Sequence, residues 1–346
     1  MSQHPLVTVI MPIRNEGAFI HRSLGAVLAQ DYPPDRLEVV IADGMSTDHT
    51  RTAIAQLAAS HPRVRVTIVD NPGRIVPTGF NRALAKSRGD VIVRVDGHTI
   101  IAPNYVAECV AALERSNADN VGGRMDPVAS GSFGRATALA TASRFGIGGS
   151  RFHYSDREEY VDTVYMGAWP RRVFQRVGVF DEEQVRNQDD EFNYRLRERG
   201  GKILLSPRIQ SRYYNRSTPR SLWRQYFQYG YWKVRVMQKH PTQMSARHFV
   251  PPAFVAALIL GLLLAPISSL VGRMLGVTAA SYVSANLAAS LIVGFGEPLL
   301  EAMLLPVVFA TLHVSYGSGF LFGLVRFANR WRDRENRWAP QLSTNA

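Results

Sequence analysis

Between residues 249 and 325 only Arg273, Glu297 and Glu301 carry formal charge. They separate uncharged runs at 249–272, 274–296 and 302–325, of 24, 23 and 24 residues. A helix needs about 20 mostly apolar residues to cross a bilayer, so this feature restricts the C-terminal part of the chain more than any other. The first run, dense in Ala, Leu, Ile and Val over 253–264, is the strongest membrane candidate. The third, 304–325, remains one despite His313, Tyr316 and three glycines, whereas the second, around 279–295, carries three serines and an asparagine and is the weakest. A buried helical bundle is the alternative reading.

Charge is segregated as sharply as hydropathy. Residues 192–247 hold 13 Lys and Arg against one acid, Glu198, a net +12 that equals the charge of the whole 346-residue chain. This basic stretch contains Trp223, Tyr226, Phe227, Tyr229, Tyr231 and Trp232 and ends where the first apolar run begins. Basic and aromatic residues beside a span indicate an interfacial segment attracted to anionic membrane lipids. Nucleic acid would account for the basicity but not for its position, so no nucleic-acid partner is expected. The single cysteine, Cys109, excludes an internal disulfide.

Residues 6–13 are apolar but too short for a signal peptide and run directly into Arg14-Asn15-Glu16. The first 240 residues are therefore expected in the cytoplasm, anchored to the plasma membrane from their C-terminal side. Arg326, Arg330, Arg332, Arg334 and Arg337 place the tail inside as well by the positive-inside rule. Two ends on one side require an even number of crossings. The middle run is accordingly expected to be re-entrant, or the third to be split.

The N-terminal half alternates short β-rich runs with helical periodicity. Strands are expected at 6–12, 37–42, 64–69 and 91–95, and helices at 16–29, 50–59 and 76–86. Nearly continuous apolar strands alternating with amphipathic helices imply a parallel sheet covered on both faces. Ligands of such sheets bind beyond the carboxyl ends of the strands. The ends here read Pro12-Ile13-Arg14-Asn15-Glu16, Asp43-Gly44-Met45-Ser46-Thr47-Asp48 and Asp96-Gly97-His98. Asp48 suits a helix cap before Thr50; the remaining polar groups exceed what capping needs and indicate a binding site. Asp96 and His98 are two potential ligands for one divalent cation, and Mg²⁺ or Mn²⁺ would bridge them to substrate phosphates.

Together these motifs resemble the family 2 glycosyltransferases of the GT-A fold. The resemblance continues through residues 167–174, 177–182 and Asn187-Gln188-Asp189-Asp190-Glu191, in the family's motif order over 6–240. The Asp-Gly-His variant, the stretch at 224–233 and the C-terminal apolar runs are similar to the succinoglycan-type (ExoA-like) membrane members. The implied fold is α/β, a Rossmann-like mixed sheet with helices on both faces, followed by transmembrane helices. The implied organisation is a catalytic domain at 1–215, an amphipathic interfacial and acceptor-side segment at 216–248, a membrane region at 249–325 with two or three helices, and a basic tail at 326–346.

The resemblance also implies a nucleotide-sugar donor, most often a UDP-sugar, and an inverting transfer. Pro12, Arg14 and Glu16 would line the nucleoside pocket, Asp43 would bind the nucleobase, and Asp96 would reach metal and diphosphate. Where the family usually has Asp-X-Asp this chain has Asp96-Gly97-His98, which makes the second metal ligand a histidine. Where many members have Arg before the residue matching Asn81, this chain has Phe80, so Arg74 is the alternative phosphate contact. Inversion needs a base opposite the leaving diphosphate, and Asp189 stands at the family's base position with Asp190 as the alternative. Trp169, Trp223, Tyr231 and Trp232 are expected on the acceptor side; for the last three, a plain interfacial anchor is the competing reading. The acceptor is expected to be a lipid-linked or growing saccharide in cell-surface polysaccharide synthesis. Transfer to polyprenyl phosphate and a non-catalytic membrane scaffold are the alternatives.

Overall fold

The computed structural model describes residues 4–332, so Arg334 and Arg337 of the expected tail lie outside the described residues. The first half alternates as its periodicity predicts: β1 (Val7–Ile13), α1 (Ile20–Leu28), β2 (Leu37–Asp43), α2 (Thr50–Ser60), β3 (Arg65–Asp70), α3 (Val76–Lys86) and β4 (Val91–Arg94). There follow β5 (Thr99–Ile101), α4 (Tyr105–Ser116), β6 (Asn120–Val128), α5 (Gly131–Thr141), α6 (Arg144–Ile147), β7 (Glu159–Tyr160), β8 (Tyr165–Pro170), α7 (Arg172–Val177), α8 (Gln188–Glu198) and β9 (Ile203–Tyr214). The sheet runs in the order β3-β2-β1-β4-β8-β6-β9-β5, with β7 also on β9. Its β3-β2-β1-β4 part is parallel, and β8 joins β4 antiparallel. The sheet is thus mixed.

Both faces are covered. Val7, Val9, Met11 and Ile13 of β1 enter one apolar cluster with Leu24 and Val106, while Ile10 enters a second with Phe80 and Phe192. The period of two along the strand sorts these residues onto opposite faces. Helix α1 begins at Ile20, four residues later than the periodicity predicts, because nearby backbone amides are engaged elsewhere. Glu16 N donates to Thr50 Oγ1 at 2.9 Å and Gly17 N to Asp48 Oδ2 at 3.0 Å. Asp48 Oδ1 also accepts from Thr50 N at 3.1 Å, but the N-cap of α2 is His49, so Asp48 reaches the first helical amide from one residue outside the cap expected of it.

The described chain divides into two compact units. The first holds residues up to Asp126 and Arg151–Tyr214; the second holds Pro127–Ser150 and the chain from Asn215 onward. This differs from a boundary at 215 alone, because residues 127–150, with α5 and α6, leave the sheet unit. Ala136 and Ala140 of α5 are buried with Leu305, Phe309 and Leu312, and Arg135 Nε donates to Glu301 at 2.7 Å.

The second unit also contains α9 (Pro219–Lys239), α10 (Ala246–Leu264), α11 (Ser269–Gly294) and α12 (Leu299–Arg326). The last three are long and apolar enough to cross a membrane. Helices α11 and α12 are each unbroken, against the expected re-entrant or split segment; an uninterrupted helix satisfies its own backbone hydrogen bonds. Ile292, Phe295 and Leu299 are 77, 90 and 75% exposed, an apolar surface suited to lipid. Helix α9 packs against α12 through glycines. A Cβ at Gly319 would stand 2.0 Å from the Phe227 carbonyl oxygen, and one at Gly230 2.0 Å from that of Tyr316. Gly319 and Gly323 form the small-xxx-small spacing that permits such approach. Lys233 and Arg235 are buried here, which an interfacial helix wet along one side does not require.

Candidate active site

Strand β4 is apolar except for Arg94, and the strand period aims Arg94 and Asp96 to the same side. Arg94 Nε and Nη2 donate to the two carboxylate oxygens of Asp96 at 2.8 and 3.1 Å. The side chains are only 6 and 16% exposed. The third nitrogen, Nη1, is buried without a hydrogen-bond partner among the described residues. This forked pairing holds the Asp96 carboxylate in one orientation.

Asp189 lies in the first turn of α8, where the helix N-terminus favours a negative charge. Part of the residue remains accessible, yet its carboxyl is strongly desolvated. Burial pushes its pKa above the ordinary carboxylate value, the positive charge of Arg94 opposes this, and the charges of Asp190 and Asp96 reinforce it. Arg94 is in turn held more firmly protonated by Asp96 and Asp189, which outweigh its burial. One guanidinium therefore binds Asp96 and acts through its charge alone on Asp189, a residue far off in sequence. The third acid, Glu191, is buried and pairs with Arg195 at 2.6 Å, so it does not repel its neighbours as a bare charge.

Around this centre the strand-end loops are joined. Asn15 N donates to Ser46 Oγ at 2.8 Å, and Thr47 N to Asn15 Oδ1 at 2.9 Å. Asn15, Met45 and Asn187 adopt left-handed backbone at φ 54, 57 and 62°, a conformation that non-glycine residues keep mainly where function or packing demands it. His98 Nδ1 meets Glu16 Oε1 at 3.1 Å. A Cβ at Gly97 would lie 2.7 Å from Glu16 Cγ, so glycine here leaves room for that contact. Asp43 is fully buried; Ser46 Oγ donates to its Oδ1, and Arg51 Nε to its Oδ2, both at 2.5 Å. Arg51 also pairs with Asp70 and is 43% exposed, so it forms the accessible edge of this group.

A parallel half-sheet whose strand ends gather acids, joined by an antiparallel half that contributes a helix N-terminus, is a framework other proteins share. The model of the family described as glycosyl transferase family 2 matches residues 8–182. The chain is 31% identical to the succinoglycan biosynthesis protein ExoA of Rhizobium meliloti (strain 1021) over 324 residues, 93% of this chain and 96% of that protein. This chain belongs to glycosyl transferase family 2. It is also 26% identical, over 67% of its length and 74% of the relative's, to a dolichyl N-acetyl-alpha-D-glucosaminyl phosphate 3-beta-D-2,3-diacetamido-2,3-dideoxy-beta-D-glucuronosyltransferase of Methanococcus voltae. Among solved structures, a mannosyltransferase from Pyrobaculum calidifontis in complex with GDP-Man and Mn²⁺ matches with a TM-score of 0.60 at 20% identity. That match covers 93% of this chain and 88% of the other. The fold is GT-A, and the protein is a glycosyltransferase.

Within this family 2 framework the expected site residues divide. Asp96 is paired with Arg94, whose charge also acts on Asp189, and His98 is paired with Glu16. Pro12 lies in β1 opposite Ala42, and Arg14 follows it as an exposed residue beside Gly44. Arg74, at φ 57°, is exposed before α3 and makes no side-chain hydrogen bond or ion pair with a described residue. Two expectations need correction. Trp169 is 1% exposed and packs edge-on against Phe80, Phe174, Phe180 and Phe192, so it is core and not an acceptor surface. The Asn81 amide is engaged away from the expected donor residues: its Nδ2 donates to Phe180 O at 2.8 Å and its Oδ1 accepts from Phe180 N at 3.0 Å. The same aromatic cluster explains Phe80, since this fully buried position has no place for an arginine.

Trp223, Tyr231 and Trp232 line one groove of the second unit. Sequence reasoning missed Arg94 and Arg51. Arg94 had a signal, a charge interrupting Val91-Ile92-Val93-Arg94-Val95 two positions before an acid. Arg51 had none, because an arginine one turn into a helix is unremarkable.

Proposed function

We propose that the chain is a membrane-anchored, inverting glycosyltransferase with its sheet unit in the cytoplasm. Its donor is a nucleotide-diphosphate sugar, UDP-glucose or a close analogue, and its acceptor a lipid-linked or growing saccharide of a cell-surface polysaccharide. The observation that carries this reading is the Arg94–Asp96 pair at a strand end, whose guanidinium charge also acts on Asp189. One carboxylate is thereby fixed beside the strand ends where donors bind, and the other is held poised at a helix N-terminus. The likeness to succinoglycan biosynthesis protein ExoA supports the polysaccharide context.

Asp189 would take the proton of the acceptor hydroxyl as the new glycosidic bond forms, on the face opposite the departing diphosphate. Its raised pKa suits a base, because a carboxylate that binds a proton more readily is the stronger acceptor. Asp96 and His98 would hold a divalent cation. The described residues include no cluster of three His, Cys, Asp or Glu poised for a metal, so in this reading water and diphosphate oxygens would have to fill the remaining positions. Glu16, bonded to His98 Nδ1, would orient the ring with Nε2 free, the usual outer partner of a metal-binding histidine. When bound, Mg²⁺ or Mn²⁺ would neutralise charge on the leaving diphosphate.

The test is a donor screen measuring nucleoside diphosphate release with membrane-extracted lipid acceptors, with the anomeric configuration of the product read by NMR. Release from one nucleotide sugar that depends on lipid extract and on Asp189, with inverted configuration, is the expected result. Retained configuration would overturn the assignment of Asp189, and silence with every donor would support a scaffold. A product with the sugar directly on polyprenyl phosphate would replace the proposed acceptor.

A further inference from the structure

We infer that the groove on α9 is a binding site for the phosphate headgroup of an acidic glycerophospholipid. The groove encloses about 480 Å³ and is lined by Arg220, Trp223, Arg224, Tyr231 and Trp232 of α9 and by Phe322 of α12, among others. Arg220 and Arg224 are exposed, one turn apart, and neither makes a hydrogen bond or ion pair with a described residue. Like charges at this helical spacing repel. The chain offers them no counterion nearby in sequence, because it contains no Asp or Glu from Arg199 to Gly296. An anion from outside satisfies them.

The rest of the groove specifies what carries that anion. Trp223 and Phe322 are 42 and 56% exposed, and Tyr231 rests on Phe322 with ring centroids 5.9 Å apart. Helix α12 runs on from Phe322 to Val325, 78% exposed, and belongs to the group of helices apolar enough to span a bilayer. A phosphate between two guanidiniums, with aromatic rings beside it and aliphatic surface beyond, describes a lipid at the level of its headgroup. A soluble anion would leave the rings unused, and a zwitterionic lipid would set its own ammonium beside the arginines and weaken their hold on the phosphate. The inference rests on the membrane reading of α10–α12 and assigns Trp223, Tyr231 and Trp232 to lipid rather than to the saccharide acceptor.

Full-length protein in nonionic detergent, titrated with phosphatidylglycerol or phosphatidylcholine and read by native mass spectrometry, tests it. One phosphatidylglycerol should bind at least about tenfold more tightly than phosphatidylcholine. In Arg220→Gln/Arg224→Gln that affinity should fall about thirtyfold, roughly fivefold for each basic residue facing an anionic headgroup. Arg63→Gln/Arg65→Gln, which removes two exposed arginines from the sheet unit, should leave it unchanged. In the unaltered protein, brominated phosphatidylglycerol should quench tryptophan fluorescence more than brominated phosphatidylcholine, and Trp223→Phe should remove much of that difference. Equal affinity for the two lipids, or an equal loss in the control variant, would overturn the site. Displacement of phosphatidylglycerol by lower concentrations of polyprenyl phosphate would also overturn it, since the groove would then serve the acceptor. Nucleoside diphosphate release is measured separately: an active protein without lipid selectivity refutes this inference alone, and an inactive one that keeps it refutes only the proposed chemistry.

Discussion

Replacing Arg94 with methionine keeps most of the side-chain volume and removes the charge. In the native structure two hydrogen bonds of 2.8 and 3.1 Å join Arg94 to Asp96, both largely out of water. Removing one partner of a buried pair leaves the other charge uncompensated, at a cost of about 3–5 kcal/mol. Here the upper end applies, because Asp189 loses the same cation. For a unit of this size each kcal/mol lowers the melting temperature by about 2–4 °C, so Arg94→Met should melt about 10–20 °C below the native protein at neutral pH. Arg94→Lys should fall between the two, since an ammonium restores the charge but not the fork.

Two further readouts separate this account from simple loss of packing. Arg94 is what holds the pKa of Asp189 down against burial, so in Arg94→Met the acid limb of the rate–pH profile should move to higher pH. The double variant Arg94→Met/Asp96→Leu should be more stable than Arg94→Met, because no carboxylate of the pair is then left unpaired. The assay is thermal or denaturant unfolding of detergent-solubilised protein, followed by tryptophan fluorescence. A change of less than about 2 °C in Arg94→Met, or strict additivity in the double variant, would refute the idea of a desolvated pair.

Asp189→Asn should lower the transfer rate at least about a hundredfold while donor affinity stays within a few-fold. Because burial raises the native pKa of Asp189, its ionised form costs stability above the unfolded value. The variant should therefore melt higher at neutral pH, by an amount that vanishes as pH falls below about 4; an unchanged or lower neutral melting point would contradict that sign. Glu16→Gln should raise the Mn²⁺ concentration needed for half-maximal activity about 10- to 100-fold by disturbing the orientation of His98, and an unaltered metal titration would remove His98 from the ligand set. Trp169→Ala should cost about 3–5 kcal/mol in unfolding free energy as a core truncation, whereas Trp223→Ala, at an exposed position, should leave stability within about 0.5 kcal/mol.

The elements legible in the sequence were those written in periodicity. Helix α3 falls at 76–86 as its pattern predicts, and β1, β2 and β3 lie within a residue of theirs, because each buries a face that a single period encodes. The beginning of α1 was not legible, since the side chains of Asp48 and Thr50 compete for the amides that precede it. Nor was the departure of residues 127–150 from the sheet unit. Their small residues, Gly131, Gly134, Ala136 and Ala140, promise close packing but name no partner. Trp169 misled for a related reason: in Gly167-Ala168-Trp169-Pro170 the motif indicates where the chain turns, but the direction of the ring is fixed by β8 pairing with β4.

Arg94 marks the boundary between what pattern can and cannot give. An arginine amid β-branched residues on a central strand must find a partner, since an unpaired buried charge is too costly to persist. Strand geometry alone then supplies one, the acid two positions on, on the same side. The link to Asp189 is different in kind. It requires β8 to fold back beside β4 and α8 to begin where the charge of Arg94 reaches Asp189, neither of which the local sequence states. The proposed second carboxylate therefore had to come from a motif, and the electrostatic influence of Arg94 on it came only from the fold.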